Sequence, residues 1–95
     1  MSEQATVSHS IDSIVDELER FHQRATYGAV ASLLKRAPRN LMQGRSRSVR
    51  DSWIVSGNTG LPTGYEPGQM DPEIKSREAV IRSANDLSVW LENPS

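Results

Sequence analysis

The hydrophobic period of this chain changes near its midpoint, and that change limits the folds open to it. Before residue 44 the apolar side chains recur at helical spacing. At Ser52-Trp53-Ile54-Val55 the composition becomes that of a short strand. The chain has 95 residues, enough for one small domain. The reading is an α+β domain, mostly helical, over residues 10–95. Residues 1–9 are polar and without period, and read as a disordered lead-in.

Helix signals come in order. Ile11, Ile14, Val15, Leu18 and Phe21 lie on one helical face. Ser10 suits the cap and Asp12 the first turn, so a helix is expected over about 10–23. Thr26 can cap a second helix, about 26–35, that carries Ala29, Val30, Ala31, Leu33 and Leu34. Gly28 costs helix propensity there, so a packing reason for it is expected. Pro38 suits a first turn, and a short third helix over about 37–43 would use Leu41 and Met42 as contacts and end at Gly44.

Residues 45–50 alternate Arg with Ser and read as a basic loop. A strand follows at 52–55, then the turn residues Ser56 to Gly60. Leu61 to Tyr65 is the expected return strand of a hairpin, with Pro62 fit only for an edge. Asp71-Pro72-Glu73 is a helix start. It opens either one helix over 72–92 or a helix broken near Ser83 to Asp86, where a second cap is available. Helix, helix, short helix, basic loop, hairpin and helix make the plan of a winged helix-turn-helix, with residues 37–43 as recognition helix.

Charge points the same way. Lys35, Arg36, Arg39, Arg45, Arg47 and Arg50 form a block without one acid. The other five cations stand against all twelve acids, a balance of −7, so an acidic body carries one basic block. On a winged helix that block is the footprint of a phosphate binder. The plainer reading is a solvated loop.

The chain has no cysteine, which excludes disulfides, a Cys-based zinc site and a thiol nucleophile. His9 and His22 have no ligand-spaced partners, so no metal is expected. No cofactor motif and no nucleophile elbow occurs, and the chain reads as a non-enzyme. No apolar run reaches the ~20 residues of a membrane helix, and Met1 to Ser10 lacks the apolar core of a secretory signal. A cytoplasmic location is the default.

Residues 11–60 resemble the DNA-binding domain of the alkylguanine-DNA alkyltransferases and their non-enzymatic relatives, the alkyltransferase-like proteins. Ala25-Thr26-Tyr27-Gly28-Ala29-Val30-Ala31 is similar to the family's TTYGxIA segment. Pro38 to Gly44 stands where a helix with an ARxVGxAL-like pattern follows, and Ser52 to Gly60 where a PCHRV strand and Gly turn follow. The family's enzymes accept an alkyl group on a cysteine, which this chain lacks. Trp53 resembles the Trp that many alkyltransferase-like proteins carry there, although Ile54 and Val55 replace the next His and Arg.

The resemblance implies roles for two residues. Tyr27 would press on the phosphate beside a flipped nucleotide. Arg39 would fill the gap the extruded base leaves. The plainer alternatives are a half-buried anchor for Tyr27 and one phosphate contact among several for Arg39. The candidate DNA-binding set is Tyr27, Arg36, Arg39, Asn40, Arg45, Arg47, Arg50 and Trp53, with double-stranded DNA as partner. The alternative function is a protein-interaction adaptor on the same scaffold. Charge placement separates the two: acidic first and last helices opposite the block favour DNA, and Asp51 and Glu66 flanking it closely favour the adaptor.

Overall fold

Ser10 starts the first helix by reciprocal capping. Its hydroxyl accepts from the Ser13 N–H at 3.1 Å, and the Ser13 hydroxyl oxygen accepts from the Ser10 N–H at 3.0 Å. The computed structural model describes residues 10–45 and 48–94. Helix α1 spans Ile11–Phe21 and buries Ile11, Ile14, Val15 and Leu18, the face its spacing predicts. It ends at His22, whose left-handed backbone (φ 54°) forms the C-cap.

The chain then enters strand β1, Arg24–Thr26. Thr26 serves two elements. It ends β1, and its hydroxyl accepts from the Ala29 N–H at 3.0 Å to cap α2, Tyr27–Leu34. The packing reason expected for Gly28 is not found: a Cβ there would meet only the Thr26 hydroxyl, at 3.9 Å. Helix α2 ends at Lys35 (φ 59°). The expected helix over 37–43 is reduced to one 3-10 turn, Pro38–Asn40, followed by a turn that Gly44 closes at φ 81°. Buried Leu41 ties this segment to the core.

A second 3-10 turn, Arg50–Trp53, leads into β2, Ile54–Val55. No hairpin follows. The Ser56 N–H donates to the Leu61 carbonyl and the Gly60 N–H to the Ser56 carbonyl, which closes a local turn. Residues 61–79 then cross the molecule through a third 3-10 turn, Pro67–Gln69, to reach β3, Val80–Ile81. The sheet order is β2-β1-β3, and both pairings are parallel. Ala25 sits between Ile54 and Ile81. The expected antiparallel wing is thus replaced, among the described residues, by a small parallel sheet.

The long helix over 72–92 is also absent. Asp71 does cap a turn, its carboxylate accepting from the Glu73 N–H at 2.9 Å, but the helix stops there. Two buried polar side chains account for the stop. The Arg24 guanidinium donates to the carbonyls of Arg77 (2.7 Å) and Glu78 (3.3 Å), and the Gln23 amide to that of Ala79 (2.9 Å). They hold residues 77–79 extended on the approach to β3. The alternative start near Ser83 is the one that forms: Ser83 accepts from the Asp86 N–H and caps α3, Ala84–Glu92.

Helix α3 packs on α2, and α1 packs on the turn at 50–53. The core between them centres on Trp53, Ile14, Leu18, Leu41, Ile54 and Leu87, all fully buried. Trp90 is partly buried and meets Phe21 edge to face at 5.9 Å.

Candidate nucleic-acid interface

The residues read as a DNA-binding set fall into three groups. The first lies at the C-terminal end of α2 and on the 3-10 turn after it. Arg36, Arg39 and Asn40 are exposed there, as is Lys35, which the sequence reading counted in the basic block but not in the site. None of the three cations makes an ion pair or side-chain hydrogen bond among the described residues. The left-handed Lys35 and the Ala37-Pro38 step turn the chain sharply, so the cations project from a short bend rather than along a helix.

Beside this bend lies an open cleft of about 580 Å³, lined by Tyr27, Pro38, Arg39, Asn40, Met42 and Gln43, with Thr63 opposite. That volume suits a small-molecule-sized guest. Tyr27 is half-buried at the start of α2, and its hydroxyl oxygen accepts from the Thr63 N–H at 2.8 Å. The phenol keeps its own proton to donate. The lining offers amide, guanidinium and hydroxyl donors beside the apolar Met42 and Pro38, and it contains no carboxylate. With one guanidinium and no carboxylate in its lining, such a site disfavours a cationic guest.

The second group is withdrawn into ion pairs. Arg45 forks onto Asp51, Nε to Oδ2 at 2.8 Å and Nη2 to Oδ1 at 2.9 Å, and Nη2 also reaches Asp12 at 2.9 Å. Arg50 donates to Asp16 at 2.7 Å, to the Asp12 carboxylate at 3.3 Å and to the Asp12 carbonyl at 3.0 Å. These contacts move the protonation equilibria. Hydrogen bonds from Arg45, then Arg50, hold the Asp12 carboxyl below its usual value. The Asp51 hydrogen bond raises Arg45, and the Asp16 hydrogen bond raises Arg50. Two of the six cations of the basic block, Arg45 and Arg50, are thereby answered from α1 and from Asp51; Arg47 lies outside the described residues.

The third group is Trp53. It has no accessible surface, and the exposed His22 ring stacks parallel to it at 5.5 Å. Its indole N–H is buried without a partner among the described residues. Trp53 therefore acts as a core residue and presents nothing to a ligand.

Sequence reasoning named Tyr27, Arg39 and Asn40 in the cleft and missed Pro38, Met42, Gln43 and Thr63. Pro38, Met42 and Gln43 share the Arg39 bend, and proximity in the chain was their signal. Thr63 is 36 residues from Tyr27 and had none. Tyr65 donates its hydroxyl to the Ser48 carbonyl at 2.8 Å and ties residues 61–72 to the basic segment.

Among the described residues, no cluster of three or more His, Cys, Asp or Glu is placed to hold a metal ion. No helix among them is long and apolar enough to cross a membrane. Comparison of the chain with protein-family models, curated proteins and solved structures finds no match.

Proposed function

We propose that this chain is a non-catalytic DNA-binding protein resembling the alkyltransferase-like proteins. In this reading it meets the phosphates of a duplex through Lys35, Arg36 and Arg39. The cleft beside Tyr27 receives a base extruded from the stack, plain or alkylated. One observation supports the reading: a cleft without a carboxylate whose lining brings Tyr27 and the cation Arg39 together. In this reading residues 38–40, which follow α2 and a turn, are the element that meets the duplex, in place of a full recognition helix. The segment at 56–63 stands in for a wing. Extruding a base costs a few kcal/mol of stacking. A guanidinium at the mouth of the cleft offsets part of that cost by filling the gap.

A second reading, a protein-interaction adaptor, is favoured by one observation. Asp51 lies against the basic block and, with Asp12 and Asp16, occupies Arg45 and Arg50.

Fluorescence anisotropy with labelled duplexes separates the two. The duplexes are plain or carry one alkylated guanine, at two salt concentrations. The DNA reading expects salt-sensitive binding that weakens in Arg39→Ala, with a preference for the lesion that Tyr27→Phe reduces. No binding to either duplex at low salt overturns it and leaves the adaptor. Equal binding to both duplexes overturns the base-extrusion part alone.

A further inference from the structure

Arg45 and Arg50 are held in different ways. Arg45 grips Asp51 by two parallel hydrogen bonds, and the Asp51 side chain is only 4% exposed. That pair is internal. Arg50 grips no single carboxylate by two points. It divides its donors among the Asp16 carboxylate, the Asp12 carboxylate and the Asp12 carbonyl. Both aspartate side chains are 62% exposed, and the Arg50 side chain is 34% exposed. Exposed pairs of this kind contribute little to stability and exchange partners readily.

Asp12 and Asp16 are four residues apart on α1, a spacing at which like charges repel. A guanidinium bridging them relieves the repulsion. A phosphate offers what the two aspartates now supply, anionic oxygens arranged to meet a planar fork, and can do so bidentately. The cluster also runs on from the cleft: the Arg45 N–H donates to the carbonyl of Met42, a lining residue, and Arg45 shares the Asp12 carboxylate with Arg50.

We propose that Asp12 and Asp16 occupy on Arg50 the place of a nucleic-acid phosphate, so that Arg50 is a DNA contact held closed by α1 until a phosphate displaces them. The proposal rests on the DNA-binding reading and adds a device to it. Affinity is set partly by a contact that must first be broken. Arg45 takes no part, because Asp51 keeps it.

The test uses the full chain and a plain labelled duplex across a salt series. Asp16→Asn removes the negative charge that faces the Arg50 Nε and leaves the Arg45 fork intact. It is expected to tighten binding about three- to tenfold at low salt. The fall of log affinity with log salt keeps its wild-type slope, because Arg50 meets the same phosphate in both complexes. Adding Arg50→Gln to that variant cancels the gain and makes the slope shallower by about 0.9. Glu19→Gln removes one acid from the same helix without touching Arg50, and controls for net charge. Circular dichroism verifies that each variant folds.

Four results overturn the proposal: no gain in Asp16→Asn, an equal gain in Glu19→Gln, a gain that survives Arg50→Gln, or no binding by any variant. The first three, seen beside salt-sensitive wild-type binding, leave the DNA-binding reading standing. The fourth removes both.

Discussion

The Arg24 guanidinium donates to the Gly60 carbonyl at 2.8 Å, while a Cβ on Gly60 would lie 3.0 Å from the same nitrogen. One residue thus supplies an acceptor and the space its donor needs. Arg24 cannot swing aside, because its other terminal nitrogen is held by the Arg77 and Glu78 carbonyls. Gly60 also has a φ of 71°, which a side chain disfavours. Gly60→Ala is expected to destabilise the fold by about 1–2 kcal/mol, read as a lowered urea midpoint.

Gly28 is the contrasting glycine. It is helical, exposed and sterically free. Gly28→Ala is expected to raise stability by about 0.5 kcal/mol, through helix propensity and a less entropic unfolded chain. Thermal denaturation at fixed pH checks it.

Trp53 fills the core and leaves its indole N–H unbonded. Trp53→Phe removes a buried donor without a partner but leaves a void. A loss of about 1–2 kcal/mol is expected, well below the ~3–5 kcal/mol of truncation to Ala. Duplex affinity of the folded variant should not change, because the ring has no surface to offer. A selective loss of lesion binding would reverse that conclusion.

On the proposed DNA-binding reading the phosphate footprint is smaller than the basic block. The three cations that make no ion pair among the described residues, with Arg50 opened by a phosphate, predict a slope of log affinity against log salt of about −3.6, whereas the six-residue block would give about −5.4. A wild-type salt series distinguishes them.

Acid should loosen the clamp between α1 and the basic segment. The folded-state value of Asp12 lies below its ordinary 3.8, because Arg45 and Arg50 favour the carboxylate. Its contribution is therefore complete above the unfolded value and is lost as pH falls through the folded one. Wild type and Asp12→Asn should differ in stability at neutral pH and converge below pH 3.8. Urea unfolding at low ionic strength across that range is the measurement.

Local physics was legible in the sequence and tertiary override was not. Ser10, Thr26 and Ser83 announce the helices they cap, since a cap needs only its next three residues. The buried face of α1 follows from spacing alone. Strand β1 was invisible: three residues show no alternation, and all three are buried. The hairpin and the long last helix were expected because 52–65 and 71–92 carry the local signals for them. Arg24 and Gln23, some fifty residues upstream in the chain, take the carbonyls of 77–79. In the site, the Arg39 bend could be read from its composition. The loss of Arg50 could not, because its partners Asp12 and Asp16 lie more than thirty residues away; Arg45 is different, since its main partner Asp51 is six residues from it and is one of the acids the charge argument names.

Strand β1 has a neighbour on each side, and neither is local in the chain. Its ladder cannot begin until residues 54–55 return, and it stays half-made until residues 80–81 arrive. Each return carries the entropy of closing a long loop. The three helices can nucleate from their own caps, but the sheet comes only from the ends meeting the middle. A nick anywhere in 56–79 would then be felt at Ala25, and the halves would lose their order together rather than one after the other.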